Sequence, residues 1–267
     1  MKGRVTILGS GTSTGVPTLT CPCAVCHSTD PRDQRLRPSI WIQLGEGEDA
    51  RHVVVDTTPD FRTQALRARM PALDAVLFTH SHADHIMGLD DVRPFNFHRR
   101  DPLLAYADAA TAADLRRVFR YVFDGTVGVS AIPRIDLREW PATPPAAPAP
   151  LELLGARFEP LPVWHGTLPV LGYRFGANAY ITDFSEIPPS TLERLQALDL
   201  LILDALRLRP HPTHSNLENS LRLVERLRPR RAYFTHIAHE LPHAATEASL
   251  PPGVHLAYDG LSLEVEV

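Results

Sequence analysis

The sequence predicts an α/β (α+β) protein with four layers, an α-β-β-α sandwich, and three observations support this prediction. Short apolar or β-branched runs, bounded by Gly, Pro or charged residues, alternate with amphipathic helical segments along the 267 residues. A proline-rich stretch at 140–150 interrupts the alternation, which then resumes. Two αβ halves packed sheet against sheet would leave helices outside and bring loops from both halves to one edge.

The first half is predicted to begin as a sheet that helices cover on its outer side. Its candidate strands are 5–8, 40–44, 52–55 and 75–79. Residues 61–69 form a predicted amphipathic helix that Pro71 ends, and 109–123 form another, with Leu115, Phe119 and Val122 at helical spacing. The proline-rich stretch can neither continue a helix nor supply a full set of strand donors, so it is predicted to be a connector.

The second half repeats this alternation. Its candidate strands are 157–163, 172–175, 179–182, 200–203, 232–235, 255–258 and 261–265, and its candidate helices are 189–197 and 216–227. A chain of this length has enough residues for one large core. We therefore expect a single domain, 1–267, made of two αβ halves that join near 140–150.

Composition narrows the class of partner. The formal net charge is −4, which provides no broad basic surface for long nucleic acid and favours a small substrate. No apolar run approaches the ~20 residues of a membrane span, and the N-terminal residues lack the features of a secretory signal, so we expect a cytoplasmic protein without a membrane partner. The sequence leaves the oligomeric state open, a homodimer included.

The most informative motif is His80-x-His82-x-Asp84-His85, which directly follows the apolar run 75–78. Groups that are costly to bury singly become favourable together when a divalent cation accepts their lone pairs. Three residues of the second half, His165, Asp183 and His236, follow predicted strands in the same way. Each alone would be an ordinary turn or surface residue, but with the motif they are candidate ligands.

A second candidate metal site lies near the N-terminus. Cys21, Cys23 and Cys26 offer three thiolates in one loop, three quarters of a closed tetrahedral zinc site. An odd number of cysteines is a poor basis for disulfides. We expect His239 as the fourth ligand; His27 is an alternative, strained by its position next to Cys26, and free thiols in a cytoplasmic loop are the simpler interpretation.

The H-x-H-x-D-H motif resembles that of the metallo-β-lactamase superfamily. The Cys loop, the pair Thr235-His236-x-x-His239 and the opening 8–17 are similar to the PhnP-type branch, the phosphoribosyl 1,2-cyclic phosphate phosphodiesterases, a resemblance that covers nearly the whole chain. It implies the four-layer fold and a role in phosphonate metabolism. Gly9-x-Gly11 is not a dinucleotide fingerprint, because the third glycine is displaced and Pro17 follows where a helix should begin; this loop serves either close backbone approach to the metals or a turn.

The resemblance also implies which residues bind which metal. One cation would be bound by His80, His82 and His165, a second by Asp84, His85 and His236, and Asp183 would bridge them. Such a pair of divalent metals activates a shared water for hydrolysis, and manganese, zinc or iron fits the nitrogen and oxygen ligands. Manganese or zinc is expected here, with one structural zinc at the cysteines. Asp56 is expected to orient metal-binding histidines.

The catalytic residues implied by the resemblance are Asp84 and a histidine that binds no metal. His214, just before the helix at 216–227, is the preferred candidate and His211 the alternative. Either would contact a phosphoryl oxygen or protonate the leaving alkoxide, and Ser215 or Asn216 would cap the helix.

The predicted function is hydrolysis of a small cyclic or diester phosphate by a hydroxide that bridges the two metals, most specifically of a ribose 1,2-cyclic phosphate. The alternatives are a nuclease like the tRNA 3′-processing enzymes, a thioester or lactone hydrolase, and a metal-binding carrier without turnover. A tRNA nuclease would need a basic arm, for which no Lys/Arg-rich insertion is evident.

Overall fold

The computed structural model describes residues 1–97, 99–125, 131–140 and 148–267 of the chain. Within these residues it confirms the predicted α-β-β-α sandwich. The strands are β1 Lys2–Gly9, β2 Ser39–Leu44, β3 Arg51–Val55, β4 Ala75–Leu77, β5 Leu103–Ala107, β6 Ile135–Glu139, β7 Leu151–Leu153, β8 Ala156–His165, β9 Leu168–Phe175, β10 Asn178–Ile181, β11 Leu200–Asp204, β12 Arg231–Thr235, β13 Val254–Leu256 and β14 Ser262–Glu266.

The strands form two sheets of seven. The first has the order β14-β1-β2-β3-β4-β5-β6 and the second the order β13-β12-β11-β10-β9-β8-β7. β3 to β6 run parallel to one another, as do β10 to β13. The carboxyl ends of parallel strands lie at the same edge of a sheet, which is where α/β proteins place their ligands.

Helices cover the outer face of each sheet. They are α1 Phe61–Arg67, α2 Ala83–Ile86, α3 Ala109–Val118, α4 Arg120–Phe123, α5 Pro189–Glu193, α6 Leu217–Leu227 and α7 His243–Glu247, with 3₁₀ turns at Pro31–Asp33, Gly47–Asp49 and Leu89–Asn96. The cap of α6 is Asn216, whose side chain accepts a hydrogen bond from the Asn219 backbone N–H at 3.1 Å. Among the described helices, none combines the length and the apolar composition that a bilayer crossing requires.

Three apolar cores stabilise the layers. The central core lies between the sheets and includes Val5 and Val53 from the first sheet and Tyr173 and Ile202 from the second. Two outer cores lie between each sheet and its helices. The central strands of this protein are buried on both faces. They are therefore continuous apolar runs rather than strict alternations of apolar and polar residues.

The structure differs from the sequence prediction in the placement of one strand and in several short elements. The predicted strand 261–265 exists as β14, but it pairs with β1 in the first sheet rather than with the second half. β5, β6, β7, α2 and α7 were not predicted, and the predicted helix 109–123 is divided into α3 and α4. Most of the predicted connector, 141–147, lies outside the described residues.

Candidate functional site

The candidate site lies at the edge where strands of both sheets end. β3 is followed by Asp56, and β4 leads into Thr79 and His80. In the second sheet β8 ends at His165, β10 precedes Asp183, and β12 precedes His236. The two sheets therefore deliver polar side chains to one edge, as the sequence predicted.

Three imidazoles form one part of the site. The candidate ligand atoms of His80, His82 and His165 lie within 4.8 Å of one another. His80 Nε2 and His82 Nδ1 are 3.0 Å apart. Three converging imidazole nitrogens are a common ligand set for a transition metal.

A mixed group forms the other part. Asp84, His85, Asp183 and His236 also bring one ligand atom each within 4.8 Å of one another. Asp183 contacts two of these imidazoles, with Oδ2 3.3 Å from His85 Nε2 and Oδ1 3.1 Å from His236 Nε2. Both Nε2 atoms are buried, and neither makes a well-aligned hydrogen bond with a carboxylate. Buried nitrogens of this kind require a partner, and a cation between them and the carboxylates would supply it.

Asp183 connects the two parts, because its carboxylate also lies within 4.8 Å of the ligand atoms of His165 and His214. The seven side chains, called here the His/Asp cluster, are His80, His82, Asp84, His85, His165, Asp183 and His236. They are the residues assigned at the sequence level to two cations, and their donor atoms fit such a pair. Metal binding by these residues, and their division between two cations, stay predictions.

Each imidazole that the structure anchors uses one nitrogen for protein contacts and presents the other to the cluster. His85 Nδ1 lies 2.7 Å from Asp56 Oδ2, and Asp56 also accepts hydrogen bonds from the backbone and side chain of Thr79. His165 Nδ1 donates to the Thr213 carbonyl at 2.8 Å. Such contacts fix the ring orientation and the tautomer of metal-binding histidines. The structure thus places Asp56 where the sequence prediction requires it.

Three of the eight non-glycine residues with a left-handed backbone in the described part of the chain lie at the same edge. Asp56, Asp183 and His236 have φ angles of 64°, 52° and 57°. Non-glycine residues pay about 1–3 kcal/mol each for unusual conformations, and they keep them when the surrounding structure demands it. Here the strain turns three side chains from their strand ends towards one point.

The two parts of the cluster differ in their protonation. Burial lowers the pKa of His80 and of His165. Burial acts in the same direction on His85 and His236, but the carboxylate of Asp183, together with other carboxylates, outweighs it. The pKa of His85 is therefore raised, and that of His236 is raised to about 9. The raised pKa values favour the protonated form of these two imidazoles, which the neighbouring carboxylates stabilise.

His214 lies beside the cluster. Its ring centroid is 4.5 Å from that of His165 and 4.6 Å from that of His236. Its Nδ1 is 3.0 Å from Oδ2 of the fully buried Asp204. The sequence prediction missed Asp204, although it ends an apolar strand just as Asp56 and Asp183 follow one. Its carboxylate holds the His214 ring so that Nε2 is the free nitrogen.

The cysteines and His239 form a separate group. His239 Nδ1 is 3.0, 3.2 and 3.6 Å from the sulfurs of Cys21, Cys23 and Cys26. This Cys/His cluster (Cys21, Cys23, Cys26, His239) has the composition of a tetrahedral zinc site. The Cys26 backbone N–H, 3.5 Å from Cys23 Sγ, lowers the pKa of Cys23 to about 6, whereas burial raises that of Cys26 to about 11.

The glycine loop packs tightly against neighbouring backbone. A Cβ atom at Gly9 would lie 1.9 Å from the Arg37 carbonyl oxygen, and one at Gly11 would lie 2.7 Å from that of Arg35. The loop also exchanges backbone hydrogen bonds with Ile237, the residue after His236. The loop therefore packs against the backbone beside His236. The two roles left open by the sequence, close approach to the metals and a turn, stay predictions.

The chain is similar to a protein family and to several known proteins. A family model described as the beta-lactamase superfamily domain matches residues 51–237. A curated relative from Porphyromonas gingivalis (strain ATCC BAA-308 / W83), named octanoyltransferase, is 38% identical over 265 residues, which are 98% of this chain and 52% of the relative. The chain thus spans about half the length of that relative.

Two solved structures resemble the whole chain. A protein described as a new diphosphatase from the PhnP family is 48% identical, with a TM-score of 0.90 and coverage of 99% of this chain and 98% of that one. Zinc-bound PqqB from Methylobacterium extorquens has a TM-score of 0.77 at 20% identity, with coverage of 97% and 99%. The second likeness concerns the fold alone.

Proposed function

Because this chain belongs to the beta-lactamase superfamily, within which it is similar to a PhnP-family diphosphatase, we propose that it hydrolyses a small phosphodiester. The specific substrate that we propose is a ribose 1,2-cyclic phosphate. The observation that carries the proposal is the His214–Asp204 pair beside the His/Asp cluster. It places a group that can donate a proton next to candidate ligands for the metals of a hydrolase.

The His/Asp cluster would hold two divalent cations, manganese or zinc, and the Cys/His cluster one zinc. When bound, the pair supplies positive charge to the phosphoryl oxygens and activates water for attack. The nitrogens and carboxylates available fit such hard or borderline metals. A zinc at the Cys/His cluster, by contrast, would be bound by all four of the cluster's donors, which would leave no position for a substrate.

The chain's own residues would divide the remaining tasks. Asp56 and the Thr213 carbonyl keep the rings of His85 and His165 in place. Asp84, with 13% of its side chain exposed against 3% for Asp183, is the carboxylate best placed to accept a hydrogen bond from the attacking water. These contacts orient the reacting groups before the substrate arrives.

His214 would act on the leaving group. When water attacks phosphorus and the P–O ester bond breaks, an alkoxide must take up a proton. His214 Nε2 would donate that proton, while Asp204 at Nδ1 stabilises the charged ring. General acid catalysis of this kind contributes about 10²- to 10⁴-fold.

A second candidate substrate is a disubstituted diphosphate, which the description of the 48% identical structure favours. Each phosphorus of such a molecule carries two bridging oxygens, as a phosphodiester does. Its leaving group is a phosphate, whose second pKa of about 6 makes a proton donor less necessary. The name octanoyltransferase belongs to a relative of which this chain covers only about half, and we carry no acyl transfer over to it.

Substrate comparison tests the proposal. Metal-loaded protein is assayed with a cyclic ribose phosphate, an aryl phosphodiester, an aryl phosphomonoester, a disubstituted diphosphate and tRNA. We expect turnover of the diesters well above that of the monoester. Full metal occupancy without diester turnover would end the proposal, and preferred cleavage of the diphosphate or of tRNA would replace it.

The variant His214→Ala tests the role of the proton donor. It should lose about 10²- to 10⁴-fold on the cyclic alkyl diester but much less on the aryl diester, while it keeps its metals. His255→Ala is the matched control, because His255 lies on the edge strand β13 and pairs with Glu247 of α7. Equal losses on both substrates would contradict the assignment of His214 as acid.

A further inference from the structure

The loop between β11 and α6, which carries His211 and His214, has a closed base. Leu206 N–H donates to the Ser215 carbonyl at 3.0 Å, and Leu217 N–H donates to the Arg207 carbonyl at 2.9 Å. The Asn216 side chain donates to the Leu208 carbonyl at 3.0 Å. The loop is therefore held at both ends by its own backbone and by the helix cap.

Arg207 holds the tip of the same loop. Its Nε donates to the Arg209 carbonyl at 3.3 Å, and its Nη2 donates to the Pro210 carbonyl at 3.1 Å. Glu240 lies against it, with Oε2 3.9 Å from Arg207 Nε. These contacts fix the two residues that precede His211. The position of His211 is thus built by the loop rather than left to an unsupported side chain.

The hydrogen bonds of His211 determine its tautomer. The Thr213 backbone N–H lies 3.3 Å from His211 Nδ1, and the Thr213 hydroxyl lies 3.2 Å from the same atom. A backbone N–H can only donate, so Nδ1 is an acceptor. The proton of the neutral ring must then be on Nε2. Burial, helped by His214, Arg207 and His236, lowers the pKa of His211, which keeps the ring neutral.

His211 and His214 are neighbours with opposite partners. Their ring centroids are 5.1 Å apart. Asp204 faces Nδ1 of His214, whereas an N–H group faces Nδ1 of His211. A carboxylate stabilises a charged imidazole, and an N–H donor disfavours one. One loop therefore presents a ring whose Nδ1 is paired with a carboxylate and a ring whose Nδ1 accepts from an N–H, which leaves Nε2 of His211 as a donor.

We propose that His211 is a second substrate-contacting histidine, which donates its Nε2–H to a nonbridging phosphoryl oxygen while His214 protonates the leaving oxygen. This inference rests on the proposed phosphodiester hydrolysis and adds a binding role at the same site. The hydrogen bond forms to a charged oxygen, so it is of the stronger kind. It makes no proton transfer and does not depend on the leaving group.

The test compares His211→Ala and His211→Gln with the wild type, all metal-loaded. His211→Ala should lower kcat/KM about 10- to 100-fold, to the same extent for a cyclic alkyl diester and an aryl diester. His211→Gln should recover most of this loss, because the amide Nε2 can donate from a similar position. A merely structural role would give no such rescue.

Binding of inorganic phosphate, measured by calorimetry, separates this inference from the proposed function. His211→Ala should weaken phosphate binding about 10-fold or more, even if neither diester proves to be a substrate. Wild-type affinity and turnover in His211→Ala would overturn the inference. A loss confined to the alkyl diester would also overturn it, because His211 would then be the acid.

Discussion

The two candidate metal-binding regions of this protein are built in opposite ways. The His/Asp cluster takes its side chains from loops at strand ends of both sheets. In the sequence its members extend from His80 to His236. The Cys/His cluster takes three thiols from one short loop and a single imidazole, His239. The first can form only when both sheets are packed, whereas the second joins one loop to one strand end.

This difference in construction predicts which of the two regions depends on the other. His236 and His239 are three residues apart, so the Cys/His cluster anchors the segment that supplies one member of the His/Asp cluster. Loss of the thiols should therefore disturb the His/Asp cluster indirectly. Loss of a His/Asp member should leave the Cys/His cluster intact.

The largest effect is expected for Asp183→Ala. This carboxylate lies between both parts of the His/Asp cluster, so its loss should release at least one of two cations and lower turnover by about 10³-fold or more. The metal at the Cys/His cluster should remain. Asp136→Ala, which breaks an exposed ion pair with Arg138, is the control. Metal analysis and kinetics on both variants provide the check; full activity in Asp183→Ala would contradict the assignment.

Low pH should weaken metal binding at the part of the His/Asp cluster that contains His85 and His236 more than at the part that contains His80 and His165. The raised pKa values of His85 and His236, the latter about 9, mean that metal must displace protons there, whereas His80 and His165 have lowered values. At limiting metal, affinity should fall about tenfold per pH unit for each displaced proton below pH 9.

Calorimetry in buffers of different protonation enthalpy measures those protons directly. Asp204→Asn should reduce the number released, because Asp204 is one of the groups that raise the pKa of His236. Metal affinity that stays constant between pH 9 and 7 would refute the division into two unequal parts.

A smaller effect on turnover is expected for Cys23→Ser. The protein should lose one metal per chain and about 2–3 kcal/mol of stability, which corresponds to a Tm lower by about 5–10 °C. Turnover should fall only a few-fold while the chain stays folded. His27→Ala is the control that separates the two candidate fourth ligands: loss of the same metal in that variant would favour His27 over His239.

The smallest effect is expected where the two regions meet. Glu240 follows His239 and pairs with Arg207 and Arg209 in the loop of His211 and His214. Glu240→Ala should lower kcat/KM about 2- to 5-fold without loss of metal, because partly exposed ion pairs contribute little. Glu139→Ala, which breaks the pair with Arg116, should change nothing. A larger loss together with loss of metal would mean that Glu240 supports the clusters themselves.

Local patterns carried most of what the sequence could predict. His80 to His85 and Cys21 to Cys26 are adjacent in the chain, so their residue types alone indicate shared chemistry. The structure brings His165, Asp183, His236 and His239 to the positions expected for them. The family and the four-layer fold predicted from these motifs are confirmed.

What the sequence missed depends on partners distant in the chain. Asp204 ends an apolar strand without any neighbouring motif, and only packing brings it to His214. The pattern of β14 predicts a strand but not the sheet it joins, because alternation determines the buried face and not the neighbour. The sequence named His211 only as an alternative to His214; the separate role proposed for it rests on the hydrogen bond from Thr213 to its Nδ1, which no spacing reveals.

The most direct test of the central claim is a crystal structure of the metal-loaded protein with anomalous diffraction at the metal absorption edges. Two peaks should lie about 3.5–4 Å apart inside the His/Asp cluster, with Asp183 between them, and a third should lie at the Cys/His cluster. A peak at the Cys/His cluster with none among His80, His165 and His236 would contradict the account.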